Sequence, residues 1–116
     1  MYKIFSEILF DLKKVEGVKM IGLAGRDGFL IGEYESDEIE TLTMMSAVLL
    51  RAAEAAVNKF EKASPARVIV DYEGGKLITA SVGQKALISV MAAQDATLEP
   101  IFSELERTVG RVKEIL

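Results

Sequence analysis

The sequence predicts one α+β domain over residues 1–116, in which five antiparallel strands are covered by helices on both faces. The chain has 116 residues, half of them hydrophobic, which suits one core and is too short for two domains. Two groups of short apolar segments, separated within each group by glycine-containing turns, are typical of antiparallel strands. Three longer segments with helical periodicity stand before, between and after these groups, which gives the order α-β-β-α-β-β-β-α.

The first helix and the first two strands are predicted from the N-terminal third of the chain. Apolar residues at helical spacing predict a helix over residues 2–15, and Gly17 can end it with a positive φ angle. Apolar segments at 18–24 and 29–34 predict two strands. Asp27-Gly28 stands between them and is a strong signal for a β-hairpin.

A long central helix is predicted: residues 41–60 have the pattern of one helix, which runs on to about Lys62. Ser36 and Asp37 can cap its start, and Asp37 with Glu40 has the spacing of a capping box. Ser64-Pro65 ends the helical segment, because the residue before a proline disfavours helical backbone angles.

Three further strands and a last helix are predicted from the C-terminal half. Segments 66–72, 76–82 and 86–92 are rich in Val, Ile, Leu and Ala, and glycine-containing turns separate them. Residues 95–97 can cap a final amphipathic helix, and Pro100 is tolerated in its first turn because backbone donors are unpaired there anyway.

The central helix carries more apolar surface than a single core can cover. At 100° per residue, one apolar stripe contains Leu42, Met45, Leu49, Ala53, Ala56 and Phe60. A second apolar flank contains Met44, Val48, Ala52 and Ala55. An apolar arc much wider than about 100° indicates burial on more than one side. We therefore predict that the helix packs on its own sheet and, through the second flank, on another subunit. The alternative is that a loop or helix of the same chain covers this flank.

Composition argues against several classes of function. The chain has no cysteine and no histidine, which removes disulfides, thiolate ligands, thiol nucleophiles and the usual general base near neutral pH. The formal net charge is −4, and Lys13-Lys14 is the only adjacent basic pair, so no nucleic-acid partner is expected. The apolar runs are too short to insert in a membrane, and the N-terminus lacks the pattern of a secretory signal. We expect a cytoplasmic protein that is not an enzyme and uses no cofactor.

Three groups of polar residues suggest sites, and each also has a simpler structural explanation. Gly74-Gly75-Lys76 is similar to part of a phosphate-binding loop, but such a loop leads into a helix and here a strand follows. The acidic residues within 33–40 could hold a metal only by converging, and negative charge at a helix start explains them without a metal. Arg26 and Arg51 are candidate partner contacts, with ordinary surface charge as the alternative.

Taken in order, these features resemble the roadblock family of dynein light-chain-like proteins over nearly the whole chain. The resemblance rests on Val15-Glu16-Gly17-Val18, on Gly25-Arg26-Asp27-Gly28-Phe29-Leu30-Ile31, on Met45, Leu49, Leu50, Arg51 and Ala52 of the long helix, on Gly74-Gly75, and on the terminal amphipathic helix. It implies a profilin-like α/β sandwich with the strand order 2-1-5-4-3, numbered along the chain.

The resemblance also implies a homodimer, or a heterodimer with a paralogue. In such dimers the strand after the long helix pairs edge to edge with its counterpart, and the long helices pack side by side. The interface residues expected on this basis are Met44, Val48, Ala52, Ala55, Val68 and Val70.

Members of the roadblock family regulate or scaffold Ras-like small GTPases, or serve as light chains of motor complexes. We therefore expect a non-enzymatic dimeric adaptor that binds and regulates a Ras-like small GTPase. One alternative is a scaffold or motor-associated light chain that acts without a GTPase. A further alternative is a ligand sensor, because profilin-like sandwiches also occur in sensory domains. A function drawn from a fold is an analogy, and the residues of the site have to support it.

Overall fold

Three helices surround one antiparallel sheet of four strands in the computed structural model, which describes residues 2–116. The elements in chain order are α1 (Tyr2–Lys13), β1 (Val18–Gly25), α2 (Asp37–Phe60), β2 (Arg67–Tyr72), β3 (Gly75–Val82), β4 (Ala86–Ala93) and α3 (Leu98–Ile115). The strand order is β1-β4-β3-β2, and every neighbouring pair is antiparallel. Helix α2 covers one face of the sheet, and α1 and α3 cover the other. The predicted α+β sandwich is therefore confirmed.

The prediction of a strand over residues 29–34 is wrong, and with it the prediction of five strands. A single bridge between Ala24 and Leu30 joins this segment to β1. Gly32 then adopts a φ angle of 112°, and the chain leaves the sheet edge before a ladder can form. The predicted order 2-1-5-4-3 loses its first strand, and the other four strands keep their predicted relative positions.

The larger core lies between the sheet and the pair α1 and α3. Alternate residues of the strands point toward this pair, as the two-residue period of a strand requires. Together with residues of both helices they form one buried cluster, which includes Leu12, Ile21, Leu23, Ile78, Ile88, Val90, Ile101, Leu105 and Val112. Burial of one such side chain stabilises the fold by roughly 1.5–3 kcal/mol.

Helix α2 lies close to the sheet because the residues between them are small. The buried cluster on this side is limited to Ala24, Ala47, Leu50 and Leu87. A Cβ atom added to Gly22 of β1 would lie only 2.6 Å from Cγ2 of Thr43. Near Gly22 a bulky side chain of α2 has no room, and Leu50 is the one large side chain of α2 in this cluster.

Ser36 caps the start of α2, as predicted. Its hydroxyl oxygen accepts a hydrogen bond from the backbone N–H of Ile39 at 3.2 Å. Asp37 has a different partner, because its carboxylate accepts a hydrogen bond from the hydroxyl of Tyr34 at 2.6 Å. This hydrogen bond raises the pKa of Tyr34, because the phenol must keep its proton to donate it.

Across residues 2–116, no helix combines the length and apolar character needed to cross a membrane.

Candidate functional site

The side of α2 that faces away from the sheet is apolar. Met44 and Val48 are 48% and 47% exposed, and Ala52 and Ala55 are exposed as well. A surface helix ordinarily presents polar residues on this side. The four residues of the predicted second flank therefore form an apolar row that no other described part of the chain covers.

The first apolar stripe of α2, which runs from Leu42 to Phe60, was expected to face the sheet, but most of it does not. Met45 is 56% exposed and Phe60 is 85% exposed, whereas Leu42 is buried. The most deeply buried positions of the helix are Thr43, Ser46, Ala47 and Leu50. Three of these four side chains are small, which fits the close approach of α2 to the sheet, and Leu50 is the one long side chain buried among them.

The sheet beside α2 carries a second apolar row. Met20, Met91, Leu77 and Val70 are successive cross-strand neighbours on β1, β4, β3 and β2. All four are partly exposed on the same face of the sheet as α2. A surface depression of about 480 Å³ lies between this row and α2. It is lined by Met20, Leu42, Met45 and Met91, together with Asp37, Glu38 and Thr41.

We call the combined region the α2 surface. It consists of the exposed apolar side of α2 and the cross-strand row, namely Met44, Met45, Val48, Ala52, Ala55 and Ala56 with Met20, Met91, Leu77 and Val70. Monomeric soluble proteins rarely expose a large contiguous apolar region, and such regions usually mark an interaction site. The methionines can adapt their shape to a partner.

Strand β2 adjoins the α2 surface and lies at the edge of the sheet. One side of β2 pairs with β3, and its other side has no neighbouring strand among the described residues. Ile69 is 44% exposed on this strand. Val70 belongs to the α2 surface, whereas Val68 packs partly beneath α2 against the buried cluster there. An exposed apolar edge of this kind is a template for pairing with another strand.

Arg26 holds three parts of the chain together. Its Nη1 donates to the Oε1 atom of Glu54 on α2 at 2.8 Å, in an ion pair that is largely shielded from solvent. Its Nη2 donates to the carbonyl oxygen of Gly83 at 2.8 Å, and its Nε donates to that of Ala86 at 3.1 Å. All three guanidinium nitrogens thus have partners within the chain, so a contact with another protein would compete with these bonds.

We predict that Arg26→Met lowers the free energy of unfolding by about 2–3 kcal/mol, because Glu54 loses its charged partner and two carbonyl oxygens lose donors. Urea unfolding measures the change. In a double-mutant cycle, Glu54→Gln in the Arg26→Met background is expected to cost less than Glu54→Gln alone. Additive effects of the two substitutions would contradict the proposed coupling.

Arg51 differs from Arg26 in its surroundings. It is exposed on α2, and it forms no ion pair within residues 2–116. Its role as a partner contact stays a prediction. The acidic residues near the start of α2 do not converge, because no group of three or more potential ligands within the described chain could hold a metal ion.

Sequence reasoning missed two features of this region. The cross-strand row that includes Met20 and Met91 depends on the register of four strands, which is a property of pairing and not of local periodicity. The role of Arg26 depends on Gly83 and Ala86, which lie 57 and 60 residues further along the chain. A lone arginine in a turn gives no signal for such contacts.

The fold and the α2 surface define a class of protein: an α+β sandwich with one long, exposed apolar helix beside a free sheet edge. The Roadblock/LC7 domain family model matches residues 4–92. The chain belongs to the Roadblock/LC7 family.

Solved structures from bacteria have the same fold. A Roadblock/LC7 domain from Streptomyces avermitilis is 16% identical, covers 99% of this chain and 96% of its own, and superposes with a TM-score of 0.85. MglB from Myxococcus xanthus is 15% identical, and the match covers 97% of this chain and 94% of the MglB chain with a TM-score of 0.85. The gliding protein MglB from Thermus thermophilus is 19% identical, and the match covers 98% of this chain and 89% of that protein's chain with a TM-score of 0.86. A comparison with curated protein sequences gives no match.

Proposed function

We propose that this protein is a dimeric adaptor that binds and regulates a Ras-like small GTPase in the cytoplasm. The observation that carries the proposal is the α2 surface, an apolar helix face that is exposed where a monomer would need polar residues. In a two-fold symmetric dimer, such a surface packs on the same surface of the second copy.

The shape of the α2 surface supports packing of helix against helix. Val48 lies between Met44 on one side and Ala52 and Ala55 on the other, so the exposed side of α2 carries both bulky and small side chains. Small residues allow a second helix to approach closely, and methionines fill the irregular space that remains. The interface proposed here comprises Met44, Val48, Ala52, Ala55 and Val70, with Val68 at its border beneath α2.

The free edge of β2 supports the same arrangement. If the β2 strands of two copies pair, their unpaired backbone N–H and C=O groups gain partners, and the exposed Ile69 leaves solvent. Edge pairing and helix packing then act together, because β2 and the α2 surface adjoin each other. The partner is a second copy of this chain or a paralogue with the same two features.

The chain belongs to the Roadblock/LC7 family. This supports the GTPase part of the proposal, because members of the family regulate or scaffold Ras-like small GTPases. They are generally adaptors without catalytic chemistry of their own. The chain has no histidine or cysteine to contribute. We therefore infer that it acts by holding the switch loops of the GTPase, and that Arg51, exposed on α2, is available for contact.

The proposal is tested by capture of partners from native lysate on the tagged protein, in parallel with GDP and with a non-hydrolysable GTP analogue. We expect a Ras-like small GTPase, recovered mainly in the arm with the GTP analogue. The purified GTPase then shows whether its hydrolysis rate changes when the adaptor is added. Recovery of the same large assembly in both arms, without a GTPase, would contradict the proposal and favour a scaffold or motor-associated light chain.

A further inference from the structure

We propose that this protein also binds a small organic anion, with a phosphate or carboxylate group on an apolar body, in a cleft away from the α2 surface. The cleft lies between α3, the turn after β3 and the start of β2. Its volume is about 520 Å³, which falls within the range of roughly 300–1,000 Å³ of small-molecule sites. This inference does not depend on the proposed GTPase.

Positive charge collects around the cleft although the chain as a whole is acidic. Arg67, Lys113 and Arg26 line it, and Glu106 is the one acidic residue among the lining residues described. The charge of Arg26 is balanced by Glu54. Arg67 and Lys113 form no ion pair within residues 2–116, so they leave an excess of positive charge beside the cleft.

Arg67 is held in position without being neutralised. Its guanidinium carbon lies 4.4 Å from the centroid of the Phe102 ring, a stacking geometry that is favourable for a cation. An arginine fixed in this way keeps its N–H donors available for the paired oxygens of a carboxylate or phosphate. Gln84 and Ser64 add neutral donors to the same cleft.

The walls of the cleft are fixed by hydrogen bonds. Arg26 holds the turn after β3 through the carbonyl oxygen of Gly83. Ser81 of β3 holds the segment that leads into β2, because its hydroxyl donates to the carbonyl oxygen of Pro65 at 3.1 Å and its N–H to that of Ala66 at 3.0 Å. A cleft that is formed in advance binds with a smaller entropic cost than one that must be ordered by the ligand.

The lining of the cleft defines the class of ligand. Pro65, Ala80, Leu105 and Val109 supply apolar surface, and the unpaired cations stand on β2 and α3. An inorganic ion would leave the apolar part empty, and a neutral apolar molecule would leave Arg67 and Lys113 unpaired. A molecule with both an anionic group and an apolar body satisfies both.

An NMR titration of the full chain with four probes tests this inference. The probes are phenyl phosphate, benzoate, the neutral benzamide and inorganic phosphate. We expect saturable shifts of the amide signals of Arg67, Gly83 and Gln84 with phenyl phosphate, with benzoate or with both, which distinguishes phosphate from carboxylate. Benzamide and inorganic phosphate are expected to bind at least about tenfold more weakly, because each lacks one of the two kinds of contact.

Matched variants make the test specific to the cleft. Arg67→Gln and Lys113→Gln are each expected to weaken binding about tenfold, as loss of one charge-assisted hydrogen bond predicts. The control is Lys14→Gln, which removes a cation 4.4 Å from the ring of Phe10 on α1, outside the cleft, and is expected to change nothing. If Arg67→Gln fails to fold, the affinity of Lys113→Gln, whose side chain is exposed on α3, is compared with that of the unchanged chain instead. Equal binding of benzamide, no saturable shift, or unchanged affinity in the charge variants would overturn the inference.

Discussion

We expect that replacing Val48 and Ala52 together by glutamate converts the proposed dimer into folded monomers. Both residues are exposed in the single chain, so the new carboxylates remain hydrated in the monomer and α2 keeps its packing. In a symmetric dimer the substitution places four carboxylates in one apolar interface, where each loses its hydration without gaining a partner. We expect the dissociation constant to rise by more than about a hundredfold, as for loss of central interface residues. Sedimentation velocity measures the mass, and circular dichroism measures the fold.

The control places two glutamates at the same spacing on a different helix. Ser103 and Arg107 are exposed on α3 and are also four residues apart, so Ser103→Glu with Arg107→Glu is expected to leave the dimer intact. A Val48→Glu, Ala52→Glu variant that keeps the dimer mass would show that the α2 surface is not the interface. A variant that unfolds, beside a folded control, would show that the single chain is not stable without its partner.

Substituting Gly28 by alanine is expected to lower the free energy of unfolding by about 2–4 kcal/mol. Gly28 has a φ angle of 91°, a conformation that costs a residue with a Cβ atom about 1–2 kcal/mol. The added Cβ atom would also lie 2.9 Å from the Cα atom of Met44, so the backbone of α2 must move away. Overpacking of this kind costs about 1–3 kcal/mol more. Thermal and urea unfolding measure the loss of stability.

Gly74→Ala separates the two contributions to this loss. Gly74 has a φ angle of 109°, and nothing lies within 4 Å of the position where its Cβ atom would be. This variant therefore carries the conformational cost alone, which we expect to be about 1–2 kcal/mol. If the two variants lose equal stability, the close contact between Gly28 and α2 is not what makes glycine necessary there.

Local periodicity in the sequence predicts the helices and strands of this fold well, except where an apolar segment does not pair with a neighbouring strand. The segment from residue 29 to 34 has the apolar composition of a strand, yet pairing stops after Leu30. The angle at Gly32 decides this, and glycine is compatible with a strand as well as with a turn. Composition alone therefore does not distinguish a second strand from a single bridge.

The orientation of α2 shows a second limit. A wide apolar arc predicts that the helix is buried on more than one side, but it does not say which part of the arc faces the sheet. Gly22 on β1 and the small residues of α2 decide that question, because their size sets the distance between helix and sheet. Once this distance is short, Met45 and Phe60 must point away from the core.

The cleft beside Arg67 could not be predicted from the sequence at all. Its lining comes from the turn after β1, the approach to β2, strand β3 with its following turn, and α3. No two of its cations are neighbours in sequence. Only the pairing of β2 with β3 and the packing of α3 on the sheet bring Arg67 and Lys113 to one place.

The mass of the protein in solution tests the central claim most directly, because the α2 surface has the character of an interface between two copies. Sedimentation equilibrium over a dilution series is the measurement. We predict a species of twice the chain mass of 12.7 kDa that dissociates only at the lowest concentrations. A mass of one chain at all concentrations would contradict the account, because the exposed apolar face of α2 would then have no second copy to cover it.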